Sequence, residues 1–141
     1  METSTSHVAG QASPVFVLAT SVGGTQQALR RGRAIAESRH AALELLVPVV
    51  TPYGPVPPCV DPAHPDVHTF RAIADAVVPG VPVHPCSCRE PHHVLGLRLI
   101  EGATVVIGGL RGRWRLTPEE RTARLLALEG HDVTFVDLEA P

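Results

Sequence analysis

The chain contains no lysine, and all 12 of its basic side chains are arginine. The ammonium group that reaches the phosphates in Walker-type loops therefore has no counterpart here. Cysteine is scarce: Cys59, Cys86 and Cys88 make an odd set of 3. Such a set is not a disulfide framework and reads as the reduced thiols of a cytoplasmic protein. Charged residues are only 18% of the chain, below the usual ~25%. The formal balance of −2 gives no global basic field, so no nucleic-acid partner is expected. No apolar run approaches the ~20 residues that cross a bilayer, and the longest, Leu45 to Val50, is interrupted by Pro48. No membrane association is expected. Residues 1–13 lack the basic start and apolar stretch of a secretory signal and read as a disordered tail. No Gly-x-Ser-x-Gly elbow and no acid–base pair at a motif spacing is present, so the expectation is that the chain is not an enzyme.

What the chain has in quantity is proline and glycine, 14 and 12 of 141 residues, and these divide it into short elements. Val15 to Ala19 is a continuous apolar run with a Gly-rich exit, the pattern of a strand buried on both faces. Thr25 to Ser38 follows as an amphipathic helix, with Ala28, Gly32 and Ile35 on one stripe. Ala42 to Val47 is a second strand, which Pro48 should end. Thr51 to Pro65 is a proline-rich loop. Asp66 to Val78 is a helix with Val67, Phe70, Ile73 and Val77 on one face. Val81 to Pro85 is a short strand whose prolines belong on a sheet edge. Glu90 to Ile100 reads as a helix with Pro91 in its first turn and Gly102 past its end. Ala103 to Gly108 is a further buried strand. Thr117 to Glu129 is the best-signed helix: Thr117 and Glu120 form a capping box, Pro118 opens it and Gly130 stops it. Asp132 to Leu138 is the last strand.

Strict alternation of strands with helices calls for one α/β domain, residues 14–141. Its core should be a doubly wound five-stranded parallel sheet in the order 3-2-1-4-5, with helices on both faces. Ligands of such sheets bind at the carboxyl ends of the strands where the winding reverses. Here that point lies between strands one and four, at the glycine-rich stretches Thr20–Thr25 and Gly108–Arg115.

These stretches resemble the universal stress protein family, and the resemblance covers nearly all of the chain after Ser13. Thr20 occupies the position of the family's first-strand Asp, with Ala28-Leu29 at the matching distance. Val49 stands where the family has an adenine-contacting valine. Gly109-Leu-Arg-Gly112 matches the Gly-x-x-Gly phosphate loop, and Thr122-Ala123 replace the Gly and Ser/Thr that complete it. The resemblance thus implies a small non-enzymatic stress-response or regulatory module with a degenerate nucleotide site, formed by Thr20, Val49, Gly109, Arg111 and Gly112. No cofactor is expected beyond weak ATP binding, because the adenine-facing carboxylate is missing. Glu119 and Glu120 would also repel a phosphate from the start of the helix. Against this, Arg111, Arg113 and Arg115 could pair with an anion. A functional ATP or adenylate sensor is therefore the alternative.

A second alternative is a thiol or metal site. Cys86 and Cys88 fall on one face of a strand, close in sequence to His84, His92 and His93. The simpler reading is buried thiols beside surface histidines, with no metal. The last strand, Asp132 to Leu138, is an edge without Lys or Pro and is expected to pair with its copy in a homodimer. The loop around Trp114 leaves room for an unidentified protein partner.

Overall fold

The computed structural model describes residues 13–139. The expected tail, residues 1–13, therefore lies outside it except for Ser13. The elements are β1 (Val15–Leu18), α1 (Val22–Arg39), β2 (Leu43–Val50), α2 (Pro65–Val77) and β3 (Val83–Cys88). A 3-10 turn (Pro91–His93) then runs into α3 (Val94–Leu97), followed by β4 (Thr104–Gly109), α4 (Pro118–Leu128) and β5 (Asp132–Asp137). The sheet order is β3-β2-β1-β4-β5 and every pairing is parallel, as the alternation predicts.

Side chains alternate across each strand, so every apolar strand supplies two cores. Val15, Val17, Leu45, Val47 and Val106 face α1 and α2, against Ala28, Leu29, Phe70 and Ile73. Phe16, Leu18, Leu46, Val105 and Ile107 face the other way, against Val94, Leu95 and Leu126. β1 therefore reads as a continuous run because both of its faces are covered. Among the described residues no helix is long and apolar enough to cross a membrane.

Most boundaries shift by a residue or two from those the sequence suggests, and four differences have a clear physical cause. α1 begins at Val22 rather than Thr25, because the Ser21 hydroxyl accepts the Gly24 amide and caps it. This draws both glycines into the first turn. β2 runs through Pro48 to Val50. The Ala19 amide donates to the Leu46 carbonyl, so Leu46 and Pro48 turn their backbone groups toward β1. β1 ends opposite Leu46, so Pro48 stands just past the last paired residue of β1. β3 likewise runs past Pro85 to Cys88. There the Pro82 and Cys88 carbonyls accept amides of β2 and its exit, so Pro85 turns toward the open edge. The expected helix from Glu90 to Ile100 is reduced to a 3-10 turn and one α turn. Its start has no side-chain cap. Gly96 is a poor helix former, and Leu99 closes the segment at φ 58°.

Candidate functional site

The winding reverses between β1 and β4, and the backbone there is closely packed. A methyl group on Gly24 would run into the Gly108 carbonyl oxygen, and one on Gly108 into the Gly24 carbonyl oxygen. Glycine at both positions lets the start of α1 lie directly on the end of β4. The Thr20 hydroxyl donates to the Gly108 carbonyl at 2.7 Å, and the Thr20 amide donates to the Thr25 hydroxyl at 3.0 Å. A carboxylate in place of this hydroxyl would meet the same carbonyl with no proton to give. Thr20 therefore ties the two strands together across the crevice.

The loop after β4 is ordered by one carboxylate. The Gly112 amide donates to Glu120 Oε1 at 2.7 Å, and the Thr117 amide donates to the same oxygen at 3.0 Å. Arg111 Nη1 lies 3.7 Å from Glu120 Oε2 and Arg111 Nε lies 3.6 Å from Asp137. Its guanidinium also sits over the Phe135 ring, 4.8 Å from the centroid. The Thr117 hydroxyl donates to the Leu110 carbonyl at 2.8 Å and accepts the Glu120 amide at 3.2 Å, completing the capping box. The Gly112 and Thr117 amides hold the Glu120 carboxyl below the usual glutamate range, with Arg111 adding to the effect. Two backbone amides and a guanidinium thus converge on an anion, as they would on a phosphate. The anion is the chain's own side chain.

Gly109 is the last residue of β4, paired with Asp137, and lies outside the turn. A Cβ on it would lie 2.6 Å from Glu119 Cγ, so it makes room for the first turn of α4. Beside it is a cavity of about 230 Å³ at the carboxyl ends of β1 and β2, lined by Leu18, Ala19, Thr20, Pro48, Val50, Pro91, Pro118, Glu119 and Thr122. Drug-sized ligand pockets run from ~300 to 1,000 Å³, and this one is smaller and mostly apolar.

Of the five residues expected to form the nucleotide site, only Thr20 lines that cavity. Arg111 and Gly112 stand in the β4–α4 connection, and Gly109 ends β4. Val49 is turned to the opposite face of the sheet, where it packs against the α1–α2 core. There it borders a different cavity of about 260 Å³, with Cys59, Asp61, His64 and Ser87. Its strand neighbours Pro48 and Val50 line the cavity at the switch point, and the sequence shows Glu120 as a helix cap and a charge that repels phosphate, not as the partner of the Gly112 amide.

The thiols are placed otherwise. Cys86 and Cys88 are buried and belong to the core beneath α3 and α4. The Cys86 thiol faces the His84 carbonyl at 3.4 Å, and the Cys88 thiol faces the Val49 carbonyl at 3.9 Å. Burial pushes Cys88 up to about 11 and also raises Cys86, opposed by Arg98. His84 is bonded to Glu44 at 2.8 Å, and His92 lies 3.7 Å from Glu90. Among the described residues no three His, Cys, Asp or Glu side chains are grouped to hold a metal ion.

No family model matches the chain, and no curated protein does. Solved structures do. A universal stress protein in complex with cAMP superposes with a TM-score of 0.58 at 16% identity, covering 90% of this chain and 98% of that one. A universal stress protein from Archaeoglobus fulgidus superposes with a TM-score of 0.62 at 14% identity, covering 94% of this chain and 98% of that one. Identities this low speak for architecture alone. By its strand order, its helices and these superpositions, the chain has the universal stress protein fold.

Proposed function

We propose that the chain is a small non-enzymatic regulatory module of the universal stress protein type, acting in the stress response, whose nucleotide position is degenerate. The observation that carries this reading is the 2.7 Å bond from the Gly112 amide to Glu120. The amide that the phosphate-loop resemblance would offer to a ligand is engaged within the chain. Thr20 supports the reading, since its hydroxyl is engaged by the Gly108 carbonyl. Calorimetric titration with ATP and with cAMP tests it. The expected dissociation constant is weaker than about 100 µM, corresponding to less than about 5.5 kcal/mol. Low-micromolar binding of either nucleotide would overturn it.

The second reading is an adenylate sensor. It is favoured by the cAMP bound to one structural neighbour and by the position of the 230 Å³ cavity at the strand ends. Under it, Arg111 exchanges its loose 3.7 Å pairing with Glu120 for a phosphate, and Arg111→Ala abolishes nucleotide binding in the same titration.

We also infer a cytoplasmic homodimer paired through β5. The scarce, unpaired cysteines support the compartment. The dimer is supported by an edge strand, Asp132–Asp137, that pairs with β4 alone in the sheet and has no proline or lysine to blunt it.

A further inference from the structure

The chain has one tryptophan and one tyrosine, and both stand in solvent. Trp114 is 93% exposed and Tyr53 88%. Large aromatics contribute heavily to a core when buried, so leaving both outside calls for an explanation. Both lie at the carboxyl end of the sheet, Tyr53 just beyond β2 and Trp114 beyond β4. Val22, Val50 and Leu110 are also exposed at this end, and Val50 borders the 230 Å³ cavity.

Neither aromatic sits on a slack loop. Arg89 donates to the Thr51 carbonyl at 3.1 Å and to the Gly54 carbonyl at 2.7 Å, strapping down the turn that carries Tyr53. Glu120 holds Gly112 and Thr117 on either side of Trp114. Loops clamped before binding lose little entropy on binding. Arg113 and Arg115 flank Trp114, both exposed, and neither has an ion-pair partner among the described residues. Trp, Tyr and Arg are the side chains over-represented where binding energy concentrates.

We propose that this end of the sheet is a docking surface for an acidic peptide segment of another protein, carrying an aliphatic side chain between carboxylates. The aliphatic side chain enters the cavity between Leu18, Pro48, Val50 and Pro91. The carboxylates pair with Arg113 and Arg115, while Trp114 and Tyr53 cover the flanking backbone. Glu119, the carboxylate on the cavity wall, disfavours an anion inside the cavity and so favours an apolar anchor there. The proposal rests on the reading that this end is closed to nucleotide. The two fail separately, because calorimetry with ATP and cAMP tests one and the peptide measurement tests the other.

Trp114 is the reporter, since no other tryptophan contributes to the fluorescence. The full chain is titrated with a synthetic acidic peptide, a central Leu flanked by glutamates, and with a twin in which lysines replace the glutamates. Expected are a saturable shift of Trp114 emission with the acidic peptide and none with the twin. The double variant Arg113→Glu/Arg115→Glu should weaken acidic-peptide binding by about tenfold or more. Trp114→Ala should weaken it too, followed by anisotropy of a labelled peptide. Circular dichroism checks that these exposed substitutions leave the fold intact. No shift up to about 1 mM peptide overturns the proposal. So does tighter binding to phosphatidylserine vesicles or to oligo-dT, which would assign the arginines and Trp114 to a membrane or to a single strand.

Discussion

Glu120 does through one carboxylate what three separate groups would otherwise have to do. It caps α4, closes the β4–α4 loop through Gly112 and neutralises Arg111. Its carboxyl is held below the ordinary glutamate range by the Gly112 and Thr117 amides. A carboxylate with a lowered folded-state value stabilises the fold above its unfolded value, about 4.3 for glutamate. That contribution is lost as pH falls through the lower folded value. Glu120→Gln should therefore be less stable than the parent at neutral pH, and the gap should narrow as pH falls below about 4. Urea melts of both proteins at pH 7 and pH 3 measure it. An equal gap at both values would show that the charge contributes nothing beyond the hydrogen bonds an amide oxygen also accepts. The Thr-x-x-Glu spacing shows the cap in the sequence. The bond to Gly112 is not legible there, because it depends on how the intervening turn folds back.

At the scale of elements, the junction of α1 with β4 has little slack. Gly24→Ala places a methyl against the Gly108 carbonyl, and overpacking of this kind costs about 1–3 kcal/mol. Its neighbour is the control. A methyl on Gly23 would meet Leu138 at an ordinary 3.8 Å, and helix propensity favours alanine there by up to about 1 kcal/mol. Gly24→Ala should lower the urea midpoint while Gly23→Ala holds or raises it. Equal effects would mean that helix propensity, not the backbone contact, governs the site. Strand order and helix α4 were readable because their signals are local: apolar runs, Thr117, Pro118, Glu120 and Gly130. The ends of β2 and β3 were not, because whether a proline ends a strand depends on what lies beside it. Pro85 turns its missing donor to the open edge, and Pro48 stands just past the last paired residue of β1. Pro91 and Gly102 resemble helix boundaries even when the turns between them are few, so the sequence suggests a longer helix than α3. In the site, Thr20 stands at the reversal of winding, bonded to Gly108 of β4. Val49 went to the opposite face, because alternation along a strand flips with each residue.

At the scale of the whole molecule, the two sheet edges are unlike. On β5 the Asp132 amide bonds to Ala103 and the Leu138 amide to Gly109, so the alternate amides of Val133 and Phe135 turn outward. Val133→Pro removes an outward donor while leaving the β4–β5 ladder in place. It should convert the proposed dimer to monomer in sedimentation at tens of micromolar, with the melting curve of the monomer retained. A parent chain already monomeric at that concentration would exclude the β5 pairing. The β3 edge has Pro85 turned outward, one neighbour in the sheet and a single-turn helix, α3, near it. The strands β1, β2 and β4, by contrast, are paired on both sides. The fold should therefore open in order, with β3 and α3 releasing before β1, β2 and β4 exchange their amides. In native-state hydrogen exchange, Cys86 and Cys88 should give lower opening free energies than Val17 and Val106. That first opening would uncover the thiols of Cys86 and Cys88 together, making the β3 edge a gate through which an alkylating reagent reaches two core cysteines of a molecule still folded elsewhere.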